Sequence, residues 1–377
     1  MGNSKDNTVT QTQTKTAYEG VAQLQIQQLF KVMVDSGASD LHITVGSAPS
    51  IRVSGDIVRV KVGALTPDDT KRLVYQILTE KQKADLEKNL DLDFSFGIKG
   101  LARFRANVFY SKSAVAAVFR VIPSLIPDYE ALNLPPVLLE MVNVSSGLFL
   151  VTGPTGSGKS TTLASIIDKL NANTASHIIT LEDPIEFVHQ HKLSLVNQRE
   201  VGVDTHTFAR GIKSLLRQDP DIVLIGELRD PETIEAALTI AETGHIVFGT
   251  LHTNSTVQTI NRIINVFPSD QQEQIRTLLS FVLQGVVAQQ LLPKVPSGRC
   301  MVQEILRITP AIRNLIREDK VHQIYSQMQI GQEETGMNTM NQHIKKQLDA
   351  GLITIETAMT FSNNPEELAR MLGVQKK

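Results

Sequence analysis

The sequence predicts an α/β protein of two domains, a smaller α+β domain followed by a larger domain with a parallel sheet covered by helices on both faces. Three observations lead to this prediction. The chain has 377 residues, enough for two domains at roughly 100–200 residues each. Apolar residues make up 41% of the chain and charged residues 20%, so a large core can be buried. Beyond about residue 137, apolar runs of strand length alternate with helical stretches, as in parallel sheets.

The predicted first domain covers residues 18–122 and follows a polar tail, residues 1–17, that has no apolar segment and is predicted to be disordered and not a secretory signal. Val21 to Val34 has helical spacing, and Thr66 precedes Pro67 in the manner of a helix N-cap. That helix is predicted to reach about residue 80, with another over residues 81–89. Six short alternating runs are predicted as strands, at residues 41–45, 51–53, 57–60, 93–96, 102–110 and 114–122.

Residues 123–136 contain four prolines and are predicted to connect the domains. The second domain is predicted to cover residues 137–377. Its strands are predicted at residues 148–152, 178–181, 222–225 and 246–250. The uncharged stretch from Thr277 to Pro293 is too short for a transmembrane span, and its apolar residues recur at helical spacing, so a core helix is predicted there. Beyond about residue 331 the chain is polar and predicted helical.

The composition excludes several classes of protein. Lys and Arg number 37 against 39 Asp and Glu, a net charge of -2, which argues against a strongly basic nucleic-acid binder. Aromatic residues are only 5%, and tryptophan is absent, so a platform for stacking bases is also disfavoured. The one cysteine, Cys300, cannot form an internal disulfide or a four-cysteine zinc site. A reducing compartment is therefore expected.

A phosphate-binding loop is predicted between an apolar strand and a helical stretch. The segment fits G-x-x-x-x-G-K-[ST], in which backbone N–H groups and a helix N-terminus bind phosphates, the lysine reaches the β- and γ-phosphates and the serine ligates Mg²⁺. An ordinary glycine-rich turn would not explain the Lys-Ser pair. The predicted nucleotide-binding residues are Gly153, Pro154, Thr155, Gly156, Ser157, Gly158, Lys159, Ser160 and Thr161.

Acidic residues follow two buried-type strands. Four apolar residues end at Gly226-Glu227, and another apolar strand ends at Glu182-Asp183. Because the carboxyl ends of parallel strands form the ligand crevice of such sheets, both acidic groups are expected near the phosphates. Solvated turns or helix caps are the alternative interpretation.

Histidines flank a further apolar run, with His245 before it and His252 after it. Both are candidates for sensing the γ-phosphate, and purely structural roles stay open. A zinc site is disfavoured because thiolates are lacking. His189 and His191 are predicted to lie in a surface loop.

Taken in order, four motifs resemble the secretion-type ATPase superfamily that powers type IV pili and type II secretion. The motifs are similar to its Walker A motif, aspartate box, Walker B motif and histidine box. They span Gly153–Ser160, Ile179–Glu186, Asp219–Asp230 and Thr243–Asn254, respectively. The resemblance covers nearly the whole chain. It implies a RecA-like P-loop ATPase domain, an N-terminal α+β domain of the PAS-like type and assembly into a homohexameric ring.

The resemblance also implies roles for single residues. Glu182 would be the catalytic carboxylate that polarises water, and Glu227 would hold Mg²⁺ through water, together with Ser160. His245 and His252 would couple the state of the γ-phosphate to the position of the domains.

Arginine fingers from the N-terminal domain are implied as well. The matching stretch contains Arg103, Arg105 and Arg120, and surface charges on a strand are the alternative interpretation. Many relatives have a further arginine where this chain has Tyr110–Ser113, which leaves open which arginines serve. Lys112 offers a point charge there without the bidentate fork of arginine. Arg217 and Arg229 receive no assigned role.

Two segments and the cysteine count resemble the retraction-type members of the superfamily. Ala311–Glu318 matches their signature, and Gly37–His42 is similar to the opening of their N-terminal domain. Assembly-type members usually carry a four-cysteine zinc element, which the single cysteine excludes. Ala311–Glu318 is also an amphipathic helix in its own right, with Ile312 on the apolar face, and is predicted to dock on the core. Both interpretations of this segment are kept.

The predicted function is therefore Mg²⁺-dependent ATP hydrolysis that drives type IV pilus retraction and twitching motility. The expected partners are further copies of the chain, an inner-membrane platform protein and the pilus machinery, without direct contact to nucleic acid. The expected location is cytoplasmic, at the inner face of the bacterial inner membrane, without a transmembrane segment. The alternatives are an accessory paralogue with weak hydrolysis and a RecA-like nucleic-acid translocase, which shares the sheet and the phosphate loop.

Overall fold

The computed structural model describes residues 21–53, 55–123 and 125–373. The tail predicted at residues 1–17 lies outside the described residues. Two compact units divide the chain after Pro123. Each unit has its own sheet and its own hydrophobic core, so each is described by itself.

The N-terminal unit is built on a six-stranded antiparallel sheet. Its strands are β1 (Asp40–Ile43), β2 (Ser50–Val53), β3 (Asp56–Arg59), β4 (Asp91–Ile98), β5 (Ala102–Ser111) and β6 (Ala114–Ile122). They are arranged in the order β3-β2-β1-β6-β5-β4. The helices are α1 (Ile26–Asp35), α2 (Pro67–Tyr75) and α3 (Glu80–Asn89), and a 3-10 turn spans Val21–Gln23. All six predicted strands are confirmed.

Local sequence explains where the helices of this unit begin. The Thr66 hydroxyl accepts a hydrogen bond from the Asp69 amide at 3.2 Å, and the Asp69 carboxylate accepts one from the Thr66 amide at 3.0 Å. This capping box, with Pro67 at the first helical position, confirms the predicted N-cap. The helix predicted from Val21 begins instead at Ile26, because the Gln25 amide donates to the Gln28 side chain and starts the helix there.

The C-terminal unit contains a seven-stranded sheet. Its strands are β7 (Gly147–Thr152), β8 (His177–Glu182), β9 (Leu195–Glu200), β10 (Ile222–Ile225), β11 (Ile246–Leu251), β12 (Leu283–Pro293) and β13 (Arg299–Arg307). Their order is β13-β12-β7-β11-β10-β8-β9, and only β13 runs antiparallel to its neighbour. Strand β9, an edge strand of mixed polarity, was not predicted, because it lacks an apolar run.

Helices cover both faces of this sheet, and further helices follow it in the chain. They are α4 (Val137–Val142), α5 (Lys159–Asn173), α6 (Phe208–Leu215), α7 (Pro231–Glu242), α8 (Thr256–Asn265), α9 (Gln272–Val282), α10 (Pro310–Arg317), α11 (Ile324–Gln327), α12 (Gln332–Thr335), α13 (Met340–Asp349), α14 (Ile355–Phe361) and α15 (Pro365–Met371), and a 3-10 turn spans Val321–Gln323. Along β7, Leu148 and Leu150 face one core, while Phe149 and Val151 face another. The predicted sheet with two covered faces is therefore confirmed.

The helix predicted over Thr277–Pro293 is wrong in its second half. Helix α9 ends at Val282, and the chain continues directly into β12. Gly285 and the pair Val286-Val287 favour a strand, and β12 lies between β7 and β13, buried on both faces. Periodicity alone does not separate a buried strand from a buried helix over such a short apolar run.

Three further features complete the C-terminal unit. Tyr129 and Leu134, from the predicted connecting segment, are buried in its core. In α10, Ile312 and Ile316 are fully buried, which confirms the docked amphipathic helix. The Arg313 guanidinium donates to the carbonyl oxygens at the end of α9, to that of Phe281 at 2.6 Å. Over the described ranges, no helix has the length and apolar character needed to span a bilayer.

Candidate active site

The predicted phosphate-binding loop connects β7 to α5 at the carboxyl edge of the sheet. Gly153, Gly156 and Gly158 have φ values of 144°, 79° and 87°, which residues other than glycine rarely adopt. The Lys159 ammonium donates to the carbonyl oxygens of Gly153 at 2.8 Å and Pro154 at 3.2 Å. The glycine-rich loop thus leads directly into the N-terminus of α5, and a loop of this kind at a helix N-terminus binds anions.

Gln289, on the neighbouring strand β12, braces this loop. Its side chain is fully buried, donates to the Ser157 carbonyl at 2.8 Å and accepts from the Thr162 hydroxyl at 3.0 Å. A Cβ on Gly153 would collide with the Gln289 carbonyl oxygen. No sequence signal marked the role of Gln289, since β12 itself was predicted to be helical.

Glu182 ends β8 beside the phosphate loop. It lines a cavity of about 40 Å³ together with Ser160 and Gly226. The Thr180 hydroxyl donates to its Oε1 at 2.6 Å, and the Gln198 amide donates to the same oxygen at 3.3 Å. Burial nevertheless raises the pKa of the Glu182 carboxyl to about 7. A carboxylate with this pKa accepts and releases a proton near neutral pH.

Glu227 follows β10, the strand next to β8. The Arg229 guanidinium lies 2.7 Å from its Oε2, and His252 Nε2 lies 3.3 Å from its Oε1. The hydrogen bond from Arg229 holds the pKa of the Glu227 carboxyl below its usual value. Arg229 also lies 3.9 Å from Asp183. The structure thus places Arg229, which the sequence left without a role, between the two acidic strand ends.

Lys159 lies within electrostatic reach of two acidic residues, Glu227 and Glu186. Burial lowers the pKa of its ammonium, and the negative charges of Glu227 and Glu186 oppose that effect. Glu186 also lines the cavity at Glu182. Its position in the aspartate box was part of the quoted motif, but sequence reasoning gave it no role.

The two predicted histidines lie at opposite ends of the central strand β11. His252 follows β11 and reaches Glu227, whereas His245 precedes β11. Six strand residues separate them, about 20 Å at the usual rise per residue. His245 Nδ1 lies 3.0 Å from the Ile240 carbonyl and lines a groove with Asp219 and Asp221. Within one chain, β11 thus carries the two histidines to its two ends, and the role expected for both in sensing the γ-phosphate stays a prediction.

The three predicted arginine fingers lie together on the N-terminal unit. Arg105 on β5 pairs in register with Arg120 on β6, and Arg103 is two residues from Arg105 on the same face. Arg120 Nε donates to the buried Asp40 at 2.8 Å. Lys112, by contrast, lies in the turn between β5 and β6 with φ of 52°.

Comparison with known proteins decides the family. The model of the type II/IV secretion system protein family matches residues 15–360. The chain belongs to this family. The match confirms the resemblance drawn from the four motifs.

Curated members of the type II/IV secretion family include close relatives. The chain is 49% identical over 343 residues to the type IV pilus retraction ATPase PilT of Pseudomonas aeruginosa, covering 91% of this chain and 99% of that protein. It is 46% identical to a twitching motility protein of Neisseria gonorrhoeae, over 85% of this chain and 86% of that protein. A crystal structure of the pilus retraction motor PilT with bound ADP matches with a TM-score of 0.88 at 52% identity, over 93% of this chain and all of that one (100%). These matches confirm the prediction of a secretion-family ATPase of the pilus retraction type.

Proposed function

We propose that this protein hydrolyses ATP in a ring of six copies and uses the energy to retract type IV pili, as in twitching motility. The observation that supports this most directly is Glu182, a carboxylate with a pKa of about 7, in one cavity with Ser160 of the phosphate loop. The similarity to PilT supports the coupling to pili. The N-terminal unit would be the PAS-like domain that such members are expected to have.

The nucleoside of ATP would occupy a second, larger cavity beside the loop. This cavity has a volume of about 660 Å³ and is lined by Gly158 and Thr161, with Leu291, Met301 and Leu352 providing apolar surface. A cavity of this size and mixed polarity suits a purine nucleoside. The phosphates would then lie against the loop amides and Lys159.

Mg²⁺ would be held by Ser160, with Glu227 acting through water. Ser160 is the second residue of α5 and lines the same cavity as Gly226, which directly precedes Glu227. The oxygen donors of Ser160 and Glu227 fit a cation that keeps several waters. Over the described ranges, no cluster of three or more His, Cys, Asp or Glu residues forms a metal site. Bound Mg²⁺ would neutralise charge on the β- and γ-phosphates.

Glu182 would orient the attacking water and accept its proton. Arg103, Arg105 and Arg120 would supply positive charge to the transferring phosphoryl group, and His252 would report the state of the γ-phosphate to Glu227. Cycles of hydrolysis would change the angle between the two units and so turn an inner-membrane platform protein, from the cytoplasmic face of the membrane. Pilin subunits would then leave the base of the filament.

The proposal is tested by ATPase assays of Lys159→Ala and Glu182→Gln, with Lys88→Ala, at an exposed position of α3, as a matched control. Both site variants should lose nearly all steady-state hydrolysis, and the control should keep it. Near wild-type turnover in either site variant would reject the assignment. In cells, pilus retraction restored to a deletion strain by Glu182→Gln would favour the accessory role without hydrolysis.

A further inference from the structure

The sequence predicted that His189 lies in a surface loop. In the structure this residue is instead buried beside the cavity that Glu182 lines. Its exposed fraction is 8%, and it lines the cavity of about 40 Å³ that contains Glu182. Among the described residues its Nδ1 has no hydrogen-bond partner. Burial lowers the pKa of His189 to about 4, so the ring is neutral near pH 7. A buried ring nitrogen without a partner costs free energy unless a water molecule satisfies it.

Gln198, on β9, connects His189 to Glu182. Its side-chain oxygen accepts from the His189 backbone amide at 2.8 Å. Its Nε2 donates to the Phe187 carbonyl at 2.8 Å and to Glu182 Oε1 at 3.3 Å. One amide therefore holds both the chain that carries His189 and the carboxylate. Neither β9 nor Gln198 was predicted from the sequence.

The cavity meets the requirements for ordered water. A cavity needs about 10–15 Å³ for one water, together with two to four polar partners, and this cavity has about 40 Å³. Glu182, His189 and Ser160 supply polar groups to its wall, and Leu163 and Leu224 supply apolar surface. A dry cavity would leave the His189 nitrogen unsatisfied, which is rare for buried polar groups.

We propose that a water molecule bound in this cavity joins Nδ1 of His189 to the carboxylate of Glu182, and that Gln198 positions both groups. His189 and Gln198 are then positioning residues, which act on the attacking water only through Glu182. The proposal rests on the proposed role of Glu182. It adds that the bound water and Gln198 hold the carboxylate of Glu182 in one orientation toward the nucleotide.

The test compares four variants of the full-length chain with the wild type. His189→Leu and Gln198→Met remove the polar groups at similar volume, and His189→Asn keeps a polar atom near the position of Nδ1. Glu182→Gln is the reference for loss of the carboxylate. Exposed residues of the same types provide the matched controls His206→Leu and Gln190→Met.

Three measurements are made on each variant: ATP turnover against pH, ADP affinity and the thermal unfolding midpoint. His189→Leu and Gln198→Met should each lower kcat about tenfold at pH 7 while ADP affinity stays within about twofold, the size expected for losing one hydrogen bond to a charged group. The rising limb of kcat against pH should move to higher pH in Gln198→Met, since the lost donor favoured the ionised carboxylate. Glu186, which also faces the cavity, is unchanged in these variants. His189→Asn should recover most of the activity.

A crystal structure of the wild type at high resolution should show a water within hydrogen-bond distance of His189 Nδ1. A dry cavity, or unchanged kcat and pH profiles in His189→Leu and Gln198→Met, would overturn the inference. If His189→Leu unfolds, His189→Asn and Gln198→Met decide alone. Glu182→Gln distinguishes failure of the proposed function from failure of this inference. Full activity of Glu182→Gln rejects the proposed function. An inactive Glu182→Gln together with normal activity of His189→Leu and Gln198→Met rejects only the water between His189 and Glu182.

Discussion

Two neighbouring parallel strands each end in a glutamate, and their surroundings differ. Glu182, the last residue of β8, accepts hydrogen bonds from the neutral groups of Thr180 and Gln198, and burial raises its pKa to about 7. Glu227, after β10, is paired with Arg229 and His252, and its pKa is lowered. Identical side chains on adjacent strands thus acquire opposite electrostatic character.

This difference in pKa means that the carboxyl ends of two adjacent strands can provide both a base and a fixed negative charge. A carboxylate near pKa 7 can take a proton at neutral pH, whereas one held ionised by a guanidinium can anchor cations. The division depends on the neighbours: Arg229 is two residues from Glu227, and Gln198 comes from a separate strand. Glutamine substitutions at the two positions should therefore have different consequences.

The largest effect is expected for Glu182→Gln. Loss of the base should lower kcat by about 10²–10⁴ while ADP affinity changes little, because the carboxylate lies beside the phosphate loop and not in it. Glu227→Gln should instead raise the Mg²⁺ concentration needed for half-maximal turnover. Turnover assays with Mg²⁺ titration and ADP binding measure both. If both variants needed the same Mg²⁺ concentration for half-maximal turnover, the proposed difference between Glu182 as base and Glu227 as Mg²⁺ ligand would be wrong.

The next effect concerns pH. With a pKa of about 7, the base form of Glu182 is the minor form below pH 7 and the major form above it. kcat should rise with pH, by about tenfold from pH 6 to pH 8. A pH series of steady-state turnover on the wild type measures this, with Glu182→Gln as the baseline. A rising limb centred near pH 4 would show that Glu182 behaves like an ordinary exposed carboxyl.

A smaller effect is expected for Thr180→Val, which removes the 2.6 Å hydrogen bond to Glu182 at nearly constant volume. The ionised form loses a donor, so the limb should move to higher pH, and kcat at pH 7 should fall about three- to tenfold. Thr239→Val, at an exposed helix position, is the control. A shift to lower pH would contradict the proposed cause.

The smallest effects are expected for substitutions of the two histidines, which lie at the two ends of β11. His252→Ala removes a half-exposed partner of Glu227 and should lower turnover at most about fivefold, the range for exposed pairs. His245→Ala lies about 20 Å away along β11, and ADP affinity should stay within about twofold. ADP titrations of both variants measure the difference. A large loss of affinity in His245→Ala would mean that a second subunit brings His245 to the site.

Sequence patterns were most informative where one local feature defines the structure. The phosphate loop, the N-cap at Thr66 and the amphipathic helix at Ile312 each depend on residues close together in the chain, and each was predicted. The end of α9 was not, because the apolar residues of β12 resemble a continuing helix until their neighbours β7 and β13 are known. Gln289 and Gln198 were missed because both act across long sequence separations.

By itself, the sequence determined the family, the phosphate loop and the two strands that end in Glu182 and Glu227, since these depend on local motifs and strand periodicity. Only the tertiary structure brought His252 to Glu227, because this contact joins residues that follow two neighbouring strands, β11 and β10. It alone also distinguished the two glutamates. A pKa depends on burial and on the donors around a carboxyl group. Thr180 and Arg229 are each two residues from the glutamate that they contact, whereas burial and the contacts of Gln198 and His252 depend on how distant parts of the chain pack together.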